Sequence, residues 1–225
     1  MNFNLLFAQE LIHPPKISFN RNSGAVGFSY DVRIWGWSTN GKVAYSTEYE
    51  WSEINQFINF VILDLITDSV LFRLVMNSFF LEDGNYSEVR DEALYNLNRA
   101  SILNAMQTHN IIKHNLINRQ EEIFQFPFIK NNLTYDCHIT NIEYKEDEYG
   151  ENNISKYSVL VTAGNRRKII NNFNPPPFVN EVFVKGYFPS PFENRIMVTI
   201  AEMSTYQYGP REYRFMGCHL GVGFE

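Results

Sequence analysis

The sequence predicts a mainly β protein (α+β) with about eleven antiparallel strands and one amphipathic helix. Aromatic residues make up 16% of the 225 residues, with 19 Phe and 13 Tyr, and such side chains favour strands. Short runs of alternating apolar and polar residues, separated by turn-forming residues, recur along most of the chain. Only one segment changes to a helical period. A chain of this length can bury a full core, so we expect a single compact domain over residues 1–225.

The first predicted unit is a four-stranded meander within residues 25–74. Its strands are VGFSYDVRIWGW (26–37), VAYSTEYEW (43–51), FINFVILDL (57–65) and VLFRLV (70–75). Between the first two, Asn40-Gly41 predicts a type I′ hairpin turn, because both central residues of that turn need positive φ.

A helical insertion is predicted within residues 85–118. Its apolar residues recur at helical spacings, at Val89, Ala93, Leu97, Ala100 and Leu103. Asn85 and Glu88 can form a capping box, so we expect the helix to cover about 86–108. Residues 120–225 form a second β half with the remaining strands.

The charge balance argues against nucleic acid as a partner. The chain has 19 basic and 25 acidic residues and a net charge of -6, with no basic stretch interleaved with aromatics. No apolar run approaches the roughly 20 residues that a membrane-spanning helix needs, so no transmembrane segment is predicted.

The N-terminal residues are similar to the end of a secretory signal. Leu5-Leu6-Phe7-Ala8 is followed by Gln9-Glu10, which suggests cleavage after Ala8. We therefore interpret residues 1–10 as a candidate signal-peptide remnant; a short cytoplasmic N-terminal strand is the alternative.

Two turn signatures resemble those of β-propeller blades of the TolB and WD type. WSTNGKVAYS (37–46) and DLITDSVLFRL (64–74) match both hairpins of one blade, and SVLVTAGNRRKIINNF (158–173) with GYFPSPFENRIMVTI (186–200) is a weaker copy. The order of these elements around the helix resembles an uncharacterised bacterial family of predicted secreted proteins with a domain of unknown function. The resemblance implies an irregular or partial propeller-like fold, or a sandwich, and export; it brings no catalytic residues.

The two cysteines occur in the dipeptides Cys137-His138 and Cys218-His219. Adjacent residues of a strand point to opposite faces, so the four side chains are poorly placed to converge on zinc, and we predict no metal or other cofactor. In an exported protein, a disulfide between Cys137 and Cys218 would close a loop of about 80 residues. Two free buried thiols are the alternative.

Aromatic residues concentrate around the first hairpin, at Trp35, Trp37, Trp51, Tyr45 and Tyr49. They can pack in the core between sheets, or form an exposed patch that binds a protein or a glycan.

Carboxylates offer few catalytic candidates. Glu48, Glu50 and Glu53 lie on or beside the second strand and could act as an acid–base pair if buried in a cleft, but we expect them at the surface. EDEYGEN (146–152) lacks the ligand register of a calcium loop and is interpreted as a solvated loop. No nucleophile elbow, phosphate-binding loop or dinucleotide fingerprint occurs.

The sequence therefore favours a non-enzymatic, exported binding or structural protein of the bacterial envelope, periplasmic or secreted, with a protein or glycan partner. The alternatives are a hydrolase that uses carboxylates on irregular loops and a subunit of a cytoplasmic assembly.

Overall fold

The computed structural model describes residues 13–19, 30–52, 55–77, 91–113, 122–147, 149–204 and 210–225. In chain order its elements are β1 (Ile17–Ser18), β2 (Tyr30–Trp37), β3 (Lys42–Ser52), β4 (Asn55–Asp64), β5 (Ser69–Asn77), α1 (Asp91–Leu97), α2 (Arg99–Thr108), β6 (Ile112–Lys113), β7 (Phe128–Lys130), β8 (Leu133–Glu146), β9 (Asn152–Ala163), β10 (Arg166–Phe173), β11 (Glu181–Pro189), β12 (Arg195–Met203) and β13 (Pro210–His219). The predicted strands correspond to β2–β5 and β7–β13, while β1 and β6 are additional two-residue strands.

The strands form three antiparallel sheets. Sheet 1 has the order β1-β2-β3-β4-β5, with β6 also paired to β2; sheet 2 has the order β10-β9-β8-β7; sheet 3 has the order β11-β12-β13. The meander predicted from the first turn signatures is therefore the main part of sheet 1. The prediction of a mainly β, antiparallel fold is confirmed, and the arrangement is consistent with a sandwich or a partial propeller-like stack.

Sheet 3 lies between sheets 1 and 2, because β12 is buried on both faces. Met197 and Ala201 belong to a first core shared with sheet 1. Ile196, Val198 and Ile200 belong to a second core shared with sheet 2. The two-residue period of a strand sends neighbouring side chains to opposite faces, so one strand contributes to both cores.

The helices cover the other face of sheet 1 and build a third core. The predicted continuous helix is divided into α1 and α2 by a turn at Asn98, and the predicted capping pair Asn85 and Glu88 lies outside the described residues. No helix of the described residues is long and apolar enough to span a membrane.

The predicted apolar stripe of the helix is wrong. Leu97 is 67% exposed and Ala93 is also exposed. The buried positions are instead Asp91, Leu94, Tyr95, Ile102, Ala105 and Met106. A stripe counted from apolar residues alone missed this face because polar groups of Asp91 and Tyr95 are buried against polar residues of sheet 1.

The first hairpin turn also differs from the prediction. Ser38 N–H donates to Lys42 O at 2.9 Å, which leaves three residues in the turn. Gly41 has a φ of 81°, whereas Asn40 is not among the residues with positive φ. A three-residue turn that ends on a left-handed glycine reverses the chain as sharply as a type I′ turn. It needs only one residue with positive φ. The Ser38 hydroxyl accepts from Lys42 N–H at 2.9 Å and closes the turn.

Candidate functional site

The predicted aromatic patch is divided between two cores. Trp37 and Tyr45 are 1% and 7% exposed in the first core, and Trp35 is 3% exposed in the third. Tyr49 is half-buried, and the side chain of Trp51 lies outside the described residues. For the three buried residues, core packing is therefore the interpretation that fits their position.

Both cysteines lie in the second core, Cys137 on β8 and Cys218 on β13, and the structure has them as free thiols. Burial raises the pKa of both thiols, that of Cys218 to about 11. Because both cysteines lie in the same core, the disulfide between them stays a prediction. A count of free thiols in the purified protein tests it. Among the described residues, no group of three or more His, Cys, Asp or Glu side chains could hold a metal ion.

The expectation that the strand carboxylates lie at the surface is wrong for Glu48. It is 2% exposed, in the middle of sheet 1. The side chains of Glu50 and Glu53 lie outside the described residues.

Strands β2 and β3 bring four polar side chains to one face of sheet 1. Asp31 pairs with Glu48, and Arg33 pairs with Ser46. Since alternate residues of a strand share a face, all four project to the same side. This is the face covered by α1, where the rest of the site is supplied.

Helix α1 contributes Asp91 and Tyr95, one helical turn apart. The Tyr95 hydroxyl lies 2.6 Å from the Ser46 hydroxyl and 2.7 Å from Glu48 Oε1. Trp35 Nε1–H donates to the same serine oxygen at 2.9 Å. Tyr95 thus joins the helix to the polar face of the sheet.

Arg33 is the central cation of this face. Its Nε–H donates to Glu48 Oε1 at 2.5 Å, and a terminal nitrogen lies 3.4 Å from Asp91 Oδ2. The other terminal nitrogen donates to the carbonyl oxygen of Pro14 at 2.5 Å. Its side chain is only 8% exposed, so these bonds replace its water shell.

Lys16 supplies the second cation from the segment of residues 13–19, which we call the strap. Its Nζ lies 3.1 Å from Glu48 Oε2 and 3.6 Å from Asp31 Oδ2, and it contacts Asp91 Oδ2. Lys16, Asp31, Arg33, Glu48 and Asp91 are called the ion cluster below. The cluster joins the strap, sheet 1 and α1.

The pKa values of Glu48 and Asp91 shift in opposite directions. Burial, followed by the bond to Asp91, raises the pKa of Glu48. Burial would also raise the pKa of Asp91, but the hydrogen bonds from Glu48 and Lys16 outweigh it and lower that pKa. Of the two carboxyl groups, Glu48 is therefore the one that takes up a proton more readily. Lys16 and Arg33 lie between the carboxyl groups of Asp31, Glu48 and Asp91.

A carboxyl pair whose pKa values are driven apart is the arrangement of a general acid and base. In this structure, however, the side chains of Glu48, Asp91 and Arg33 are 2%, 7% and 8% exposed. While the strap is in place, a substrate has no access to them. The cluster as it stands is a buried connection between three segments.

Sequence reasoning missed Lys16, Arg33, Asp91 and Tyr95. A usable signal was present, because the pairs Asp31/Arg33 and Ser46/Glu48 place polar residues at alternate positions of two strands that pair in the predicted hairpin. Such matched polar positions within strongly apolar strands indicate a buried polar layer.

A second buried carboxylate lies on sheet 3. Glu202 is 0% exposed, and its Oε1 accepts from the Tyr157 hydroxyl at 2.8 Å and from Arg214 Nε–H at 3.1 Å. These bonds connect β12 to β9 and β13, so the arrangement stabilises the contact between sheets 2 and 3.

The distal part of the β8–β9 pair is exposed. β10 pairs with β9 only over residues 157–163, and β7 pairs with β8 only over residues 133–135. Beyond these, residues 141–147 and 149–156 form a two-stranded extension; we call the segment 141–156 the ribbon. The ribbon exposes Ile142, Tyr144 and Tyr149 by 39%, 60% and 70%.

The base of the ribbon is fixed to the body of the protein. Asn141 adopts a φ of 50° at an irregularity in the pairing, and its side-chain amide donates to the Ser158 hydroxyl at 3.1 Å. On the other strand, Ile154 is 4% exposed and its N–H donates to Val179 O at 2.6 Å. One side of the ribbon is therefore anchored while its aromatic residues face solvent.

The tip of the ribbon is ordered by Asp147. Its Oδ1 accepts from Tyr149 N–H at 2.9 Å and from Glu151 N–H at 3.0 Å, and its Oδ2 accepts from the Asn153 amide at 2.8 Å. The bond from Glu151, with those from Tyr149 and Asn153, lowers the pKa of Asp147. The solvated-loop interpretation predicted no such ordered turn.

Replacing Asp147 by alanine is expected to loosen the tip without unfolding the protein. The amides of Tyr149 and Glu151 lose their acceptor, so their hydrogen exchange should speed up by about tenfold, as for the loss of one ordinary hydrogen bond. In the wild type, the lowered pKa means that this order is present above the ordinary Asp value and is lost as pH falls through the folded pKa. Unchanged exchange in the variant would contradict this role.

No family model, curated protein or solved structure matches the chain.

Proposed function

We propose that the protein is a non-enzymatic binding protein whose recognition element is the ribbon. The supporting observation is the exposure of Tyr144 and Tyr149, by 60% and 70%, on a two-stranded extension fixed at its base and its tip. Tyrosine offers a large contact area with little rotamer entropy to lose, and a preordered segment loses less freedom on binding. The carboxyl groups and Arg33 of the ion cluster are, by contrast, engaged with one another and buried.

The charge of the ribbon favours a basic partner. Residues 141–156 carry five carboxylates, at positions 143, 146, 147, 148 and 151, against the two lysines Lys145 and Lys156. One lysine is already paired, since Lys156 Nζ lies 2.9 Å from Glu143 Oε1. Arginine and lysine side chains can pair with the remaining carboxylates and lie over the tyrosine rings. We therefore propose a protein partner that presents a basic extended segment.

A titration with synthetic peptides tests this function. One peptide alternates arginine with serine, and a matched peptide alternates glutamate with serine; an uncharged oligosaccharide represents a glycan. We expect the arginine peptide alone to shift amide resonances, with the shifts confined to residues 141–156 and weakened by salt. Shifts elsewhere, or none, would contradict the proposal, and a response to the oligosaccharide would indicate a glycan.

We also propose that the protein acts at the cell envelope, periplasmic or secreted. The support is the similarity of Leu5–Glu10 to the end of a secretory signal, together with the family resemblance. Fractionation of the native host, with mass determination of the mature N-terminus, tests this location. A cytoplasmic protein that retains residues 1–8 would contradict it.

A hydrolase is the second candidate, and it is favoured by the carboxyl pair of Glu48 and Asp91, whose pKa values shift in opposite directions, beside the Tyr95 hydroxyl. Glu48→Gln distinguishes the two functions, because glutamine keeps the hydrogen bond and cannot transfer a proton. If the wild type hydrolyses an ester, amide or glycoside substrate and the variant does not, the enzyme is favoured. Unchanged peptide binding in the same variant is expected for the binding protein.

A further inference from the structure

The first four residues of the strap differ from the last three in how they are held. Ile17 and Phe19 are each 3% exposed in the first core, and β1 pairs Ile17 with Val32. Residues 13–16 are held instead by polar contacts with the ion cluster and by ring contacts of His13. Lys16 is 37% exposed, so the contact is reached from solvent.

His13 closes this part of the strap over the ion cluster. Its ring centroid lies 5.8 Å from that of Trp35 and 5.4 Å from that of Tyr95. The ring nitrogen Nδ1 is buried and has no hydrogen-bond partner among the described residues. A neutral ring tolerates this aromatic environment, whereas an imidazolium needs an acceptor or water at both nitrogens.

The charged groups around His13 come from three elements. Arg33 on β2 repels a proton on the ring, and Lys16 on the strap itself is a second nearby cation of the cluster. Asp91 and the exposed Glu92 of α1 attract a proton. Burial first, and then Arg33, outweigh the two carboxylates and lower the pKa of His13.

We propose that residues 13–16 are a proton-sensitive latch, which leaves the ion cluster when His13 is protonated while Ile17 and Phe19 stay in the first core. Because the pKa of His13 is lowered, the contribution of the latch is full above the ordinary histidine value of about 6.5 and is lost as pH falls through the lower pKa of the folded state. Release exposes the carboxyl pair and Tyr95 to solvent. The fold thus contains a device that opens this face of sheet 1 in mild acid.

The indole N–H of Trp35 reports on this latch. It donates to the Ser46 hydroxyl at 2.9 Å next to His13. Trp37, in the first core on the opposite face, is an internal reference. Between pH 7.5 and 5.5 we expect the exchange of the Trp35 indole proton with water, corrected for its intrinsic pH dependence, to rise by about threefold or more. The exchange of the Trp37 indole proton should stay constant.

Two histidine variants complete the experiment. His13→Phe keeps an aromatic ring that cannot titrate and should abolish the response, while His138→Phe, an exposed histidine of β8, should leave it unchanged. The proposal is overturned by a flat Trp35 response in the wild type, by a response that persists in His13→Phe, or by a parallel rise for Trp37. The latch and the ribbon lie on different sheets, so either proposal can fail without the other.

Discussion

Replacing Gly217 by alanine is expected to destabilise the protein by about 3 kcal/mol. Gly217 lies on β13, where a Cβ atom would be 1.8 Å from the carbonyl oxygen of Leu65 and 2.6 Å from its carbonyl carbon. Both are backbone atoms, so no rotamer change can relieve the clash. The backbone segments around Gly217 and Leu65 must therefore move apart, and the contact between sheets 1 and 3 is lost locally.

The same movement breaks a hydrogen bond. Gly217 N–H donates to Asp68 Oδ1 at 2.7 Å, which seats the turn between β4 and β5 against sheet 3. Gly221→Ala is the matched control, since its nearest new contact is 3.4 Å, to the Asn194 side chain. Urea unfolding should show a large loss for the first variant and a change within about 0.5 kcal/mol for the second. Equal midpoints would refute the close approach of the two sheets.

Replacing Arg33 by methionine is expected to cost about 3–5 kcal/mol at neutral pH. Methionine preserves much of the apolar stem but removes the bonds to Glu48, Asp91 and the Pro14 carbonyl. The buried carboxylates are then left with Lys16 as their only cation within the cluster. Thermal unfolding against the wild type measures the loss; a change below about 1 kcal/mol would contradict the role of Arg33 as the central cation of the cluster.

Glu48→Gln is the matched control for this cluster, because glutamine resembles the protonated glutamic acid and can still donate to Asp91. We expect its stability to stay within about 1 kcal/mol of the wild type in mild acid. The raised pKa of Glu48 gives a contribution that is full below its ordinary value and is lost as pH rises through the folded pKa. Stability of the wild type should therefore fall relative to Glu48→Gln as pH rises. An identical pH profile for both proteins would contradict the raised pKa of Glu48.

The strands were predictable because their signal is local. Alternation and turn residues defined β2–β5, and the burial of both faces of β12 agrees with the continuous apolar run IMVTIA. The order of the sheets was not predictable, since residues 181–219 fold between two units that precede them in the chain. That choice depends on contacts such as Gly217 with Leu65, far apart in sequence.

The ion cluster escaped prediction for a related reason. Arg33 and Asp91 are 58 residues apart, and Tyr95 and Glu48 are 47 residues apart, so no spacing rule connects them. The predicted buried face of the helix was wrong for the same reason, because apolar periodicity treats Asp91 and Tyr95 as solvent-facing. The ordered tip of the ribbon was not predicted either. The sequence of a solvated loop does not reveal that Asp147 accepts hydrogen bonds from the backbone of the same loop.

The most direct test of the proposed function is the double variant Tyr144→Ser/Tyr149→Ser, titrated with the arginine–serine peptide. Both side chains are largely exposed, at 60% and 70%, so stability should change by less than about 1 kcal/mol. If the ribbon is the recognition element, the affinity for the peptide should fall by about tenfold or more. Wild-type affinity in this folded variant would contradict the claim that the ribbon binds the partner.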